Sequence, residues 1–214
     1  MLRSALLLAS VWIALFGRTA AAGELLTVLA GPDHATPVVL QAMEQAADAA
    51  LAPGITVTWK TSHEVEGHAV STPLAIIRLR GQCRPQDGLR WLDPDALPDG
   101  QPLGQTYISN GHILPIADVL CDNVVALIGP NLRIAPPGQR DGLLGLALGR
   151  VIAHELFHIM LKTTLHSREG LFRSTQRSTD LLARRDSFSE LDQRKLEQVE
   201  ASAGPPRERP ISDR

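Results

Sequence analysis

The chain has 214 residues, 44% of them hydrophobic, 21% charged and 4% aromatic, with a formal net charge of -2 and a pI near 6.4. That length and balance fit one soluble domain with short extensions, large enough to bury a core unaided. Without a basic excess the surface is not built to neutralise phosphates, and with so few aromatics it offers few stacking platforms, so nucleic acid is excluded as an expected partner.

Residues 1–22 read as an export signal: Arg3 gives the positive start, Ser4 to Gly17 an apolar stretch, and Thr19 to Gly23 a small-residue cleavage site. The mature chain is then expected to begin near Gly23 and to work in the periplasm or medium, with no stable membrane insertion. An uncleaved anchor is the alternative, disfavoured by the short apolar stretch.

From Leu25 to Ala30 a short apolar run reads as a strand closed by Gly31-Pro32-Asp33, and Thr36-Pro37 opens a helix whose Val39, Leu40, Met43, Ala46, Ala47 and Ala50 recur at helical spacing. Pro53-Gly54 ends that helix. Ile55 to Trp59 and Pro73 to Leu79 follow as strands, and Arg84 to Gln105, rich in Pro, Gly and Asp, reads as a long surface loop. Gln105 to Ser109 and His112 to Ile116 flank Asn110-Gly111, the pair that best accepts a type I′ turn, and so predict a hairpin. Ala117 to Ile128 reads as a helix, with Gly129-Pro130 and Pro136-Pro137-Gly138 as a break after it.

The central element is predicted to start near Asp141 as N-cap and to run to Leu161, apolar nearly all round, with Gly145 and Gly149 inviting a close neighbour. Arg150, His154, Glu155, His158 and Lys162 make it a buried core helix and not a membrane span. Past Gly170 the chain turns polar. Ser187 to Val199 then reads as an amphipathic helix capped by Ser187 or Ser189, and residues 203–214 as a disordered tail. The domain is therefore 23–202. Cys83 and Cys121, far apart in a chain that looks exported, are expected to form one disulfide, buried free thiols being the alternative.

The chemistry concentrates in His154-Glu155-Leu156-Phe157-His158. Histidines four apart lie on one helix face, one turn apart, where both can bind one tetrahedral metal ion. Glu155, beside the first of them, is placed to take a proton from a water on that ion. A third ligand is needed: His166 is the first candidate, Glu169 the reserve, and Glu190 a distant possibility. The bland alternative is a pair of hydrogen-bonded histidines with a solvated glutamate, which is costly in so apolar a helix. His34, His63, His68 and His112 read as loop, strand-end or turn residues, and Tyr107 as sheet packing before oxyanion donor.

At these residues the sequence resembles the zincin superfamily, and His166 with Gly170-Leu171-Phe172 resembles the third ligand and Met-turn of metzincin-like secreted peptidases. The resemblance implies one catalytic Zn²⁺ on His154, His158 and His166, with Glu155 as general base. It also implies an α+β fold: a mixed twisted sheet of about five strands packed on an N-terminal helix and on the buried helix bearing the motif, plus a C-terminal helix. Three departures stand out. Leu161 and Thr164 occupy the Gly and final His positions of the shorter metzincin pattern; the spacing to His166 is similar to that of bacterial sequences with a longer interval, but there Lys162 replaces a Gly and Phe172 the Met. The expected function is a secreted, monomeric zinc-dependent peptidase that aligns an extended peptide or protein substrate on an edge strand, Gln105 to Ser109 being the candidate. The rival is a catalytically weak or inactive, zinc-stabilised exported module that binds a partner.

Overall fold

A computed structural model describes residues 23–51, 55–69, 73–85, 101–183 and 188–202. The expected export signal, most of the Pro-rich loop, Ser187 and the tail 203–214 lie outside the described residues. Five strands form one mixed sheet: β1 (Gly23–Ala30), β2 (Ile55–Thr61), β3 (Leu74–Arg80), β4 (Gly104–Ser109) and β5 (His112–Leu120). Six α-helices accompany them: α1 (Pro37–Leu51), α2 (Ser62–Val65), α3 (Cys121–Ile134), α4 (Pro137–Leu161), α5 (Ser178–Leu182) and α6 (Glu190–Ser202). The fold is α+β, and the order of strands across the sheet is β2-β1-β3-β5-β4. All neighbours are parallel except β4 and β5, which are joined by the hairpin turn. Asn110 (φ 50°) and Gly111 (φ 77°) both sit in the left-handed region, as the type I′ reading of that dipeptide requires.

Period-two alternation fixes which face of the sheet is covered. Ala75, Ile77 and Leu79 of β3 and Ala117 and Val119 of β5 are buried in the main core together with residues of α1, α3 and α4. Asp118, between the last two, turns to the other face, where it accepts from Arg78 Nε and Tyr107 Oη. This alternation corrects the expected helix over Ala117 to Ile128: its first four residues extend β5, and the helix runs from Cys121 to Ile134. The apolar run there satisfies both periods, and parallel pairing with Ile76 to Arg80 decides for strand. Nor does Gly129-Pro130 break α3, which runs on past it to Ile134; glycine before the proline spares the Cβ part of the usual clash, though Pro130 still lacks an N–H to donate. The ladder between β4 and β5 shifts between Thr106 and Ile108, and Pro115, which cannot donate to a ladder, falls in that irregular stretch.

The central helix starts at Pro137, earlier than Asp141, with proline in the first turn where its missing N–H costs nothing. Asp141 instead accepts from Thr36 Oγ1 at 2.6 Å, while that same oxygen accepts from the N–H of Val39 and caps α1. α4 then lies along α1 in close contact. A Cβ at Gly145 would stand 2.5 Å from that of Ala42, and one at Gly149 would collide with the carbonyl of Met43. α4 is the only described helix long and apolar enough to cross a membrane, yet 78% of that apolar window is buried inside the domain. The short helix α2 has no counterpart in the expected elements and takes up His63, expected at a strand end. Ser189, in contrast, caps α6 as expected, accepting from the N–H of Asp192.

Cys83, just beyond β3, and Cys121, the first residue of α3 after β5, form a disulfide with their Cα atoms 4.9 Å apart, both fully buried. It joins the C-terminal ends of two adjacent parallel strands across 38 residues of chain. A crosslink over that separation stabilises by about 4 kcal/mol through loss of denatured-chain entropy. The double variant Cys83→Ser/Cys121→Ser is expected to lose about 2–4 kcal/mol in guanidinium denaturation; a midpoint equal to that of the parent would show that the crosslink constrains nothing the fold does not already hold.

Candidate metal centre

The last two turns of α4 bring His154 and His158 to the base of a cleft of about 700 Å³, lined also by Glu155, His166, Gly104 and Thr106. Each helix histidine is oriented by a backbone carbonyl. The Nδ1 of His154 meets the carbonyl of Leu171 at 2.9 Å, and that of His158 meets the carbonyl of Thr163 at 2.7 Å. A carbonyl can only accept, so both Nδ1 atoms carry the proton and both Nε2 atoms of the neutral rings present lone pairs. Yet those two Nε2 atoms are 3.2 Å apart, and His166 Nε2 is 3.2 Å from that of His158.

Two lone pairs at that separation with no proton between them repel, and a cation between them removes the conflict. Nitrogens bound to one tetrahedral ion at about 2.0–2.1 Å lie about 3.3–3.4 Å from one another, close to the spacing observed. His154, His158 and His166 can therefore hold a metal ion through converging nitrogens, with all three ligand atoms within 4.8 Å of each other. Burial keeps the rings neutral and free to ligate: it is the first cause lowering the pKa of all three, that of His154 to about 4. Among the described residues no fourth histidine, cysteine or carboxylate joins them.

No family model, curated protein or solved structure matches this chain.

Lys162 ends α4 in the left-handed conformation (φ 51°, ψ 40°), its N–H bonded to the carbonyl of His158. That is the position where glycine is favoured, and lysine adopts the conformation at a cost of about 1 kcal/mol. The reversal delivers the Thr163 carbonyl to His158 and sends the chain back toward the cleft with His166. The segment then folds onto itself: the N–H of Ser167 donates to the carbonyl of Phe172, and Gly170 turns at φ 70°. Phe172 is 1% exposed and floors the site, its ring centre 5.0, 4.6 and 5.4 Å from those of His154, His158 and His166. An aromatic ring thus stands where the resemblance implies a methionine.

The reserve ligands take no part. Glu169 is exposed, and Glu190, exposed on α6, pairs with Arg194. His34, His63, His68 and His112 are exposed and outside the cluster. Tyr107 is committed to Asp118 on the sheet face away from the cleft, with Arg78 4.9 Å over its ring.

Glu155 is buried, and that burial raises its pKa to about 7 against the opposing hydrogen bond from Thr106. Thr106 is a participant that sequence reasoning missed, since only the fold brings a β4 hydroxyl to a helix 49 residues away. Two others take roles that the sequence did not indicate. Arg150, buried in α4, donates to the carbonyls of Asp180, Leu181 and Ala183 and so fixes the end of α5 beside the cleft. Asp192, fully buried on α6, accepts from Ser167 Oγ at 2.6 Å, Ser189 Oγ at 2.7 Å and Lys195 Nζ at 2.9 Å. Burial alone would raise its pKa, but these donors together hold it below the usual aspartate value.

Because Ser167 follows His166 directly, Asp192 fixes the loop that carries the third imidazole. Removing a partner bonded directly to a ligand costs a metal site about 10–100-fold in affinity, and Asp192, which acts through the residue beside the ligand, falls at the low end. We expect Asp192→Asn to lose metal to a competing chelator at about tenfold lower chelator concentration than the parent, and His166→Ala to lose it more readily still. Parent-like retention by His166→Ala would remove that residue from the ligand set.

Proposed function

We propose that the protein is a zinc-dependent peptidase of zincin type, exported and monomeric, that hydrolyses peptide bonds with Glu155 as its general base. The observation that carries this reading is the company the three imidazoles keep: an incomplete nitrogen set and a buried carboxylate share one cleft beneath an edge strand. Neutral imidazoles suit several divalent metals, and three of them converging, with two of their nitrogen pairs 3.2 Å apart, suit a catalytic zinc. The mixed sheet, with the helix bearing His154-Glu155-Leu156-Phe157-His158 against one face, fits the same reading.

Zinc in such a site lowers the pKa of a water and polarises a carbonyl. The remaining work belongs to the chain. A carboxyl whose pKa is raised toward 7 is poised both to accept a proton and to return it to a leaving amine near neutral pH. β4, outermost among the described strands, would offer the backbone N–H and C=O groups of its outer edge to an extended peptide, which would lie over the carboxylate as an added strand. Ile108, 52% exposed, and Ile113 give the same cleft an apolar wall for substrate side chains.

A zinc-stabilised binding module is the competing reading, and its mark would be a fourth protein ligand closing the coordination. Among the described residues three donors converge and no fourth joins them, which favours the enzyme. The deciding experiment is cleavage of a diverse peptide library by the zinc-loaded protein beside its Glu155→Gln variant. Wild type is expected to cleave, and the variant to keep its zinc while losing at least about 100-fold in turnover. Cleavage by both would remove Glu155 from the role of base; cleavage by neither would favour the binding module.

A further inference from the structure

How the Glu155 carboxylate is held follows from β4. Thr106 Oγ1 donates to Glu155 Oε2 at 2.6 Å, which commits that oxygen. The other, Oε1, lies against Gly104: a Cβ there would stand 2.6 Å from it and 2.9 Å from the carboxyl carbon, closer than any real side chain comes. Gly104 and Thr106 are two apart and so share one face of the strand. That face meets the carboxylate with one hydroxyl and one bare stretch of backbone.

We propose, on the basis of the peptidase reading, that Thr106 is a positioning residue for Glu155, its hydroxyl anchoring one carboxylate oxygen so that the other is aimed into the cleft over the backbone of Gly104. The strand that would receive the substrate is then also the strand that aims the base. Peptide pairing along β4 and alignment of Glu155 become one event, and a substrate that displaces the strand displaces the carboxylate with it. Discrimination between peptides falls on kcat more than on KM, since misplacement of a catalytic group by about 1 Å costs about 100-fold in rate.

The test compares zinc-loaded full-length wild type with Thr106→Val, Thr106→Ser and Gly104→Ala, measuring kcat and KM on one peptide chosen from the library and zinc content per chain. Thr106→Val keeps the shape but not the hydroxyl; we expect kcat to fall by about 10–100-fold with KM within about twofold and zinc content unchanged. Thr106→Ser, which keeps the hydroxyl, should recover most of that loss, and Gly104→Ala should lose kcat because its methyl group displaces the carboxylate. The proposal is overturned if Thr106→Val turns over within about twofold of wild type. It is equally overturned if Val and Ser lose alike, or if zinc is lost along with kcat, since either result makes Thr106 a packing residue. Absence of turnover in wild type itself would sink the peptidase reading and this proposal with it, an outcome distinct from failure of the valine variant alone.

Discussion

Two imidazole nitrogens, each left bare because a carbonyl holds its ring's one proton on the far side, face one another at 3.2 Å on the most deeply buried helix of the domain. Unpaired polar groups in such a place are costly unless a cation lies between them, and the surroundings of α4 hold the nitrogens in that arrangement. The chain reverses at Lys162 to bring in one orienting carbonyl, returns at Leu171 to supply the other, and lays Phe172 under all three rings. Arg150, one turn before His154, satisfies its own buried charge on the carbonyls of α5 and thereby shapes the neighbouring wall. Packing against α1 through Gly145 and Gly149 holds the helix close enough for the core to close around it.

Much of this is legible in the chain. The histidines four apart mark one helix face, the need for a third donor singles out His166, and Asn110-Gly111 marks the hairpin; each follows from a short-range rule about spacing or backbone angles. What stays hidden is what tertiary contact decides. Ala117 to Leu120 carries an apolar pattern compatible with either period, and only its partner strand selects one. Thr106 is an ordinary threonine until the sheet is folded over α4. Asp192 looks like one more solvated acid on an amphipathic helix, yet it is wholly buried, because three donors from two segments converge on it.

Lys162 shows how a sound local preference yields to a site. A residue with a Cβ is disfavoured in the left-handed region, but a preference of about 1 kcal/mol gives way when the bond it permits orients a ligand. Phe172 likewise serves as the floor of the site, since a ring packed beneath imidazoles needs only to be apolar and well filled.

The bond between Ser167 and Asp192 also bears on what completes the site. His154 and His158 belong to a helix whose neighbours, apart from α5 and α6, all precede it in the chain, whereas the loop bearing His166 is tied to α6, the last helix described. A chain without that helix would keep two converging imidazoles but lose the side-chain tether on the loop that carries the third. Tight capture of an ion by the three imidazoles would therefore depend on a helix that supplies none of them.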